Sequence, residues 1–188
     1  MNYKLWLAAV LWLIVQNMAA QQYRVAYFGE TITHYGARAG WENTLAANDR
    51  VRSNGSIRHE LLFSINLSVF RHPNNHIGVA LSPELGWRRT AQGGGIVQAA
   101  ISAGLFRSFY EGKTYRTTPE GQLKRTPLAG QWGFMPGFSL GVGRDLSVKG
   151  NLPLLVFANA HGLVQYPYNK TILLRPALEV GVIFKTKS

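Results

Sequence analysis

The sequence predicts an all-β fold: a closed antiparallel up-and-down transmembrane β-barrel, with eight strands the expected number. Three observations predict it. First, the chain alternates at a strand period. In "HIGVALSPELGWRR", residues 76–89, Ile77, Val79, Leu81, Pro83, Leu85 and Trp87 share one parity, and Gly78, Ala80, Ser82, Glu84, Gly86 and Arg88 the other. Second, the weaker faces carry Gly, Ala and Ser with an occasional Glu or Arg, not the Thr, Lys and Glu of a water-facing sheet. Small residues with a few charges suit the narrow lumen of a small barrel. Third, the apolar faces run for about 9 to 11 residues, the length a tilted strand needs to cross hydrocarbon. Lipid tolerates no unpaired sheet edge, so such a sheet must close. The competing architecture is a soluble lipocalin-like barrel, with its apolar face inside.

The elements follow in order. Residues 1–20 read as a signal peptide: "MNYK" is a short basic start, "LWLAAVLWLIV" an apolar run of eleven, and "QNMAA" a small-residue end before Gln21. Eleven residues are too few to span a bilayer as a helix. Residues 21–188 are then a single barrel domain. A first strand is expected near 23–31, where the alternation is poor. Seven more are expected at about 34–42, 58–71, 76–90, 95–117, 122–145, 152–165 and 170–185. "RHPNNH", "TTPEGQ" and "YPYNK" are expected to turn outside the cell. The segment 43–57, "AQGGG" and "LSVKGN" are expected to turn on the periplasmic side, with both termini. Trp41, Trp87, Phe109, Tyr110, Trp132, Tyr166, Tyr168 and Phe184 fall near strand ends, where interfacial aromatic girdles belong. Pro83, Pro136 and Pro176 each remove a ladder hydrogen bond. Local bulges are the expected resolution; a groove or lateral opening in the wall is the functional alternative.

Composition excludes several function classes. The 188 residues include no cysteine, so no disulfide framework, thiol nucleophile or zinc–thiolate site is possible, and no lipidated cysteine follows the apolar run. The net charge is +11. Without Lys4, 19 basic residues face 9 acidic ones, for +10. The basic residues are spread out, which fits a general preference for anionic surfaces and not nucleic-acid recognition.

In this pattern, over about residues 23–188, the chain resembles the small outer-membrane β-barrels of Gram-negative bacteria, the outer-membrane protein A and X type. Barrels of this type often end in an aromatic residue read by the assembly machinery. Here "LEVGVIF" ends at Phe184, and "KTKS" follows it. The resemblance implies export through the general secretory route and residence in the outer membrane. Its implied partners are membrane lipid, lipopolysaccharide and the barrel-assembly machinery, and a monomer is expected. It supplies no activity.

Two sets of residues stand out. Parity turns Arg38, Glu60, Glu84, Arg175 and Glu179 inward, joined by Asn66, Gln98, Asn159 and His161. Unpaired charges inside a barrel are costly, so an ionic network that plugs the lumen is expected. In the outer turns, Lys113, Arg116, Lys124 and Arg125 are candidate contacts for lipopolysaccharide phosphates. No catalytic, cofactor or metal site is expected. His34, His59 or His161 with Ser64, Ser68 or Ser139 and Glu60 would be the residues of a lipid A acyl-chain enzyme, but no local motif joins them. His72 and His76 in "HPNNH" are two histidines without a carboxylate, read as a solvated turn. The expected function is a structural or surface-interaction role in the outer membrane. The alternative is a lipid A-modifying enzyme or a carrier of a small apolar ligand.

Overall fold

The structure, a computed structural model, describes residues 21–30, 34–52, 55–150, 152–168 and 171–186. The proposed signal peptide lies outside the described residues. Eight walls form a hydrogen-bonded antiparallel ring. They are β1 (Gln21–Glu30), β2 (Tyr35–Arg52), β3 (Gly55–His72), β4 (His76–Ala91), β5 (Gly95–Ser102) continued by β6 (Leu105–Tyr110), β9 (Trp132–Phe134) continued by β10 (Gly137–Asp145), β11 (Leu154–Tyr168) and β12 (Thr171–Lys185). Each wall pairs with the next, and β1 pairs with β12 to complete the ring. The weakly alternating 21–30 segment is therefore a full member, held between β2 and β12. Two further strands, β7 (Tyr115–Thr117) and β8 (Leu123–Arg125), pair only with each other. A one-turn helix, α1 (Ser147–Gly150), joins β10 to β11.

The faces sort by parity. On β3, Leu61, Ile65, Leu67 and Val69 are exposed, while Leu62, Ser64, Asn66, Ser68 and Phe70 are buried. The exposed row continues around the ring as Leu81, Leu85, Val97, Ile101, Phe138, Leu140, Leu178 and Val180. Tyr23, Trp87 and Phe184 edge it near the end that carries the termini, and Tyr110, Trp132 and Tyr166 near the other, the loop end.

Three sequence expectations are corrected. Residues 43–52 and 55–57, expected in a turn, are strand. Strands β2 and β3 pair from Tyr35↔Arg71 to Arg52↔Gly55, with one bulge between Thr44 and Ala46. The hairpin thus runs beyond Gln21, which pairs with Asn43. No apolar alternation marks it because Leu45 through Val51 are exposed; backbone pairing needs no apolar face. Second, 111–131 does not continue the walls: β7 and β8 form a separate ribbon above them. Third, Pro83, Pro136 and Pro176 create no register shift. Glu84↔Ser102 and Leu81↔Leu105 keep one register across Pro83, as do Gly137↔Ser102 and Leu105↔Phe134 across Pro136. The ladder only lapses there, and Ala103 N–H to Pro83 O (3.0 Å), Met135 N–H to Gly104 O (2.7 Å) and Val164 N–H to Pro136 O (2.8 Å) hold the wall shut. A Cβ on Gly104 would stand 2.3 Å from Met135 O, so only glycine permits this approach. Outside the seam lies an apolar groove of about 440 Å³, lined by Leu81, Pro83, Leu105, Phe134 and Pro136 among others.

Candidate functional site

The inside of the barrel is layered, and β11 shows the order. Its inward residues from the terminal end are Leu155, Phe157, Asn159, His161, Leu163 and Gln165, all buried. Leu155 and Phe157 belong to an apolar layer with Ala26, Ile96 and Ile183. Leu163 belongs to a second, with Phe28, Phe70, Ala80, Phe106, Met135 and Ala177. Phe70 and Phe106 stack there with ring centroids 5.8 Å apart. The stack fits because residue 78 is glycine; a Cβ would stand 2.4 Å from the Phe70 ring.

Between the apolar layers lies a charged one. Arg24 reaches Glu42 at 3.0 Å, Glu179 at 3.7 Å and Glu84 at 3.8 Å. Arg38 pairs with Glu84 and lies 3.8 Å from Glu179. Arg88 pairs with Glu42 at 2.8 Å. Three arginines thus meet three glutamates, and every one of the six is at most 5% exposed. Neutral groups complete the set. Arg88 Nε donates to Gln98, Gln98 Nε2 to Asn159 Oδ1 (2.7 Å), and Asn159 Nδ2 to Glu179 (2.9 Å), which also contacts His161 Nε2 (2.9 Å). Arg24 and Arg38 lie over the Phe157 and Phe28 rings at 4.9 and 5.4 Å, binding the layer to its apolar neighbours. The cavity at this level, between Arg24, Glu84, Gln98 and Asn159, is about 20 Å³, room for roughly one water. Above the second apolar layer, Arg175 forms a bidentate pair with Glu30 and donates to Gln165.

Of the five charges assigned inward from sequence, the structure brings Arg38, Glu84 and Glu179 together. It places Arg175 one level up, and leaves Glu60 outside the group. Glu60 instead meets the half-exposed Arg58 at 3.0 Å near the terminal end, because β3 has by then passed beyond β1. Other inward charges went unassigned, among them Glu42, Arg88, Arg24 and Glu30. Glu42 is the next inward position after Gly40 on β2, and Arg88 follows Glu84 and Gly86 on β4, so parity would have found both. Arg24 and Glu30 sit on β1, whose two faces are both partly apolar and give parity little contrast.

The candidate catalytic residues do not assemble. His34, His59 and His161 lie at three levels, and His59 stacks on Trp87. Ser139 faces His161 across β10 and β11, but among the described residues no hydrogen bond joins them. Both sit inside the packed charged layer. Lys113, Arg116, Lys124 and Arg125 are all exposed. The last three belong to the β7–β8 ribbon, where Arg116 lies directly opposite Lys124.

The loop-end mouth holds a group that sequence reasoning left apart. Tyr35 pairs with Arg71, so the next ladder step brings His34 beside His72, and His72 is itself opposite His76. The turn between them is tight, with Asn75 N–H donating to His72 O (3.1 Å) and Asn74 at φ 61°, a conformation Asn tolerates. The ring centroids of His34 and His72 are 4.2 Å apart, and both lie within 5.7 Å of His76. One ring nitrogen from each histidine lies within 4.8 Å of the others. Burial, chiefly, and the nearby Arg175 hold the His34 and His76 imidazoles at a pKa of about 4, so both are neutral at pH 7. They line a cavity of about 320 Å³ that Glu30, Ser108, Tyr110, Gln131, Gln165 and Arg175 also border.

Eight antiparallel strands closed around a charged interior, with an apolar exterior, define the small up-and-down barrels of membrane type. Among solved structures, the crystal structure of Neisserial surface protein A is similar, with TM-score 0.51 and 11% identity over 90% of this chain and 96% of that one. The N-terminal β-barrel domain of Pseudomonas aeruginosa OprF aligns at TM-score 0.47 and 16% identity, over 89% of this chain and 97% of that one. The likeness to Neisserial surface protein A shows the fold, a small closed β-barrel. No protein-family model matches it, and no curated protein does.

Proposed function

We propose that this chain is an integral outer-membrane barrel that does not conduct and serves a structural or surface-interaction role. One observation carries the reading: the chain is inside out relative to a soluble protein. Buried charges pair within the ring, six of them in one layer, while leucine, isoleucine, valine and phenylalanine face outward around it. An exposed apolar belt of this extent is rare on a soluble monomer, and hydrocarbon is the medium that suits it. The paired charges, two flanking apolar layers and a central space of about 20 Å³ support a plugged lumen. With Gln21 and Lys185 at the same end of the ring, this reading takes the opposite, loop end, with its β7–β8 ribbon, as the one outside the cell. There the four cations Lys113, Arg116, Lys124 and Arg125 would meet lipopolysaccharide phosphates.

The test combines fractionation with conductance. The protein should sediment with outer membranes, migrate faster on gels when unboiled, and give no steady single-channel steps in planar bilayers. Recovery from the soluble periplasm would overturn the membrane placement. Stable openings would overturn the plug.

A further inference from the structure

The structure assigns a metal site to the loop-end mouth: we propose that His34, His72 and His76 bind one divalent transition-metal ion, with zinc as the first choice. Imidazole nitrogen is a ligand for zinc, copper and nickel, and three histidines with an open fourth position are an established zinc set. Tetrahedral zinc with bonds of about 2.0–2.1 Å needs ligand nitrogens about 3.3 Å apart. The three nitrogens here already lie within 4.8 Å of one another, so an ion would draw them together by rotation of the side chains.

Three further features favour a ligand set over chance stacking. The histidines come from two separate hairpins, His34 from β1–β2 and His72 and His76 from β3–β4, and converge through strand register. The backbone beneath them is fixed: Glu30 and His34 exchange N–H···O bonds of 2.8 and 3.1 Å, and β3 and β4 pair up to His72↔His76. His76 Nδ1 lies 3.2 Å from Asn75 Oδ1. With Nδ1 protonated, that bond orients the ring and leaves Nε2 as the lone-pair atom, the usual role of a carbonyl behind a metal-ligating histidine. Arg175, the cation that faces His34 and His76, is itself held in a bidentate pair with Glu30, whose carboxylate borders the same mouth. The fourth position would open into the 320 Å³ mouth cavity, where water or a small anionic ligand has room.

The experiment uses full-length protein purified in mild detergent without a histidine tag and stripped with chelator. It is dialysed against zinc chloride, and bound metal is counted by mass spectrometry. One zinc per chain is expected. H34A, H72A and H76A should each weaken binding at least tenfold, while H59A, at the other end of the barrel, should bind as wild type. The unboiled gel shift confirms that each variant is folded. Zinc should also protect His34, His72 and His76 of the wild type from diethyl pyrocarbonate, which needs no variant. Cobalt in place of zinc should give the visible bands of a four-coordinate ion. Binding well below one per chain, variants that bind as wild type, or histidines modified equally with and without zinc would each overturn the site. All arms are read in detergent, so the outcome is independent of membrane location and conductance.

Discussion

At the scale of single residues, burial decides what a charge is worth. Glu84 and Glu60 lie on facing strands of the same hairpin and look alike in sequence. Glu84 is 5% exposed, pairs with Arg38, lies 3.8 Å from Arg24, and accepts from Ser64. Glu60 serves an Arg58 side chain that is 50% exposed. Removing one partner of a buried pair costs about 3–5 kcal/mol, chiefly because the other charge stays buried. An exposed pair is worth about 0–1 kcal/mol. Glu84→Ala should therefore lower the unfolding free energy in lipid vesicles by about 3–5 kcal/mol, and Glu60→Ala by no more than about 1. Adding Arg38→Ala to Glu84→Ala should recover part of the loss. Equal effects of the two single variants would show that the charged layer is solvated. Parity alone makes the inward direction of Arg38, Glu84, Arg175 and Glu179 legible in the sequence. Partners are not legible, since Arg38 reaches Glu179 across β1, and Arg175 meets Glu30 from a strand 145 residues away.

At the scale of elements, a strand is legible where its two faces meet different media. β3 and β4 alternate cleanly between Leu61 and Trp87 because one face meets an apolar surrounding and the other a packed lumen. The hairpin end at 45–51 faces water on both sides and leaves no such trace. The mouth histidines are a case between. The pair in "HPNNH" is local, but His34 joins it only through the β2–β3 register, which no single segment encodes. The β7–β8 ribbon carries its own information in charge. Arg116 opposite Lys124 is a like-charge cross-strand pair, which destabilises a ribbon. A bound phosphate would relieve that repulsion. Replacing Lys113, Arg116, Lys124 and Arg125 with Gln should reduce co-purifying lipopolysaccharide at low salt, and the difference should shrink at high salt, where the Debye length is about 3 Å. Unchanged lipopolysaccharide would mean that these cations only keep the ribbon solvated.

At the scale of the whole molecule, the question is what surrounds the apolar belt. Leu67 and Leu81 face each other across β3 and β4, 48% and 46% exposed, near the middle of the outward run from Ile77 to Trp87. A soluble barrel would expose this position to water, and arginine there would change stability by no more than about 0.5 kcal/mol. In a bilayer the same substitution places a cation near the midplane, at a cost of about 2–4 kcal/mol. Leu67→Arg and Leu81→Arg should therefore each lower stability in lipid vesicles by about that amount. Val51, 86% exposed on the hairpin that runs past Gln21, lies beyond the belt and is the internal control. Val51→Arg should fold and insert as the wild type does. The contrast is diagnostic because the three side chains are all apolar and all exposed, and the difference that bears on the cost of a cation is their depth along the barrel. If Leu67→Arg proved as harmless as Val51→Arg, the belt would face water and the chain would not be a membrane protein.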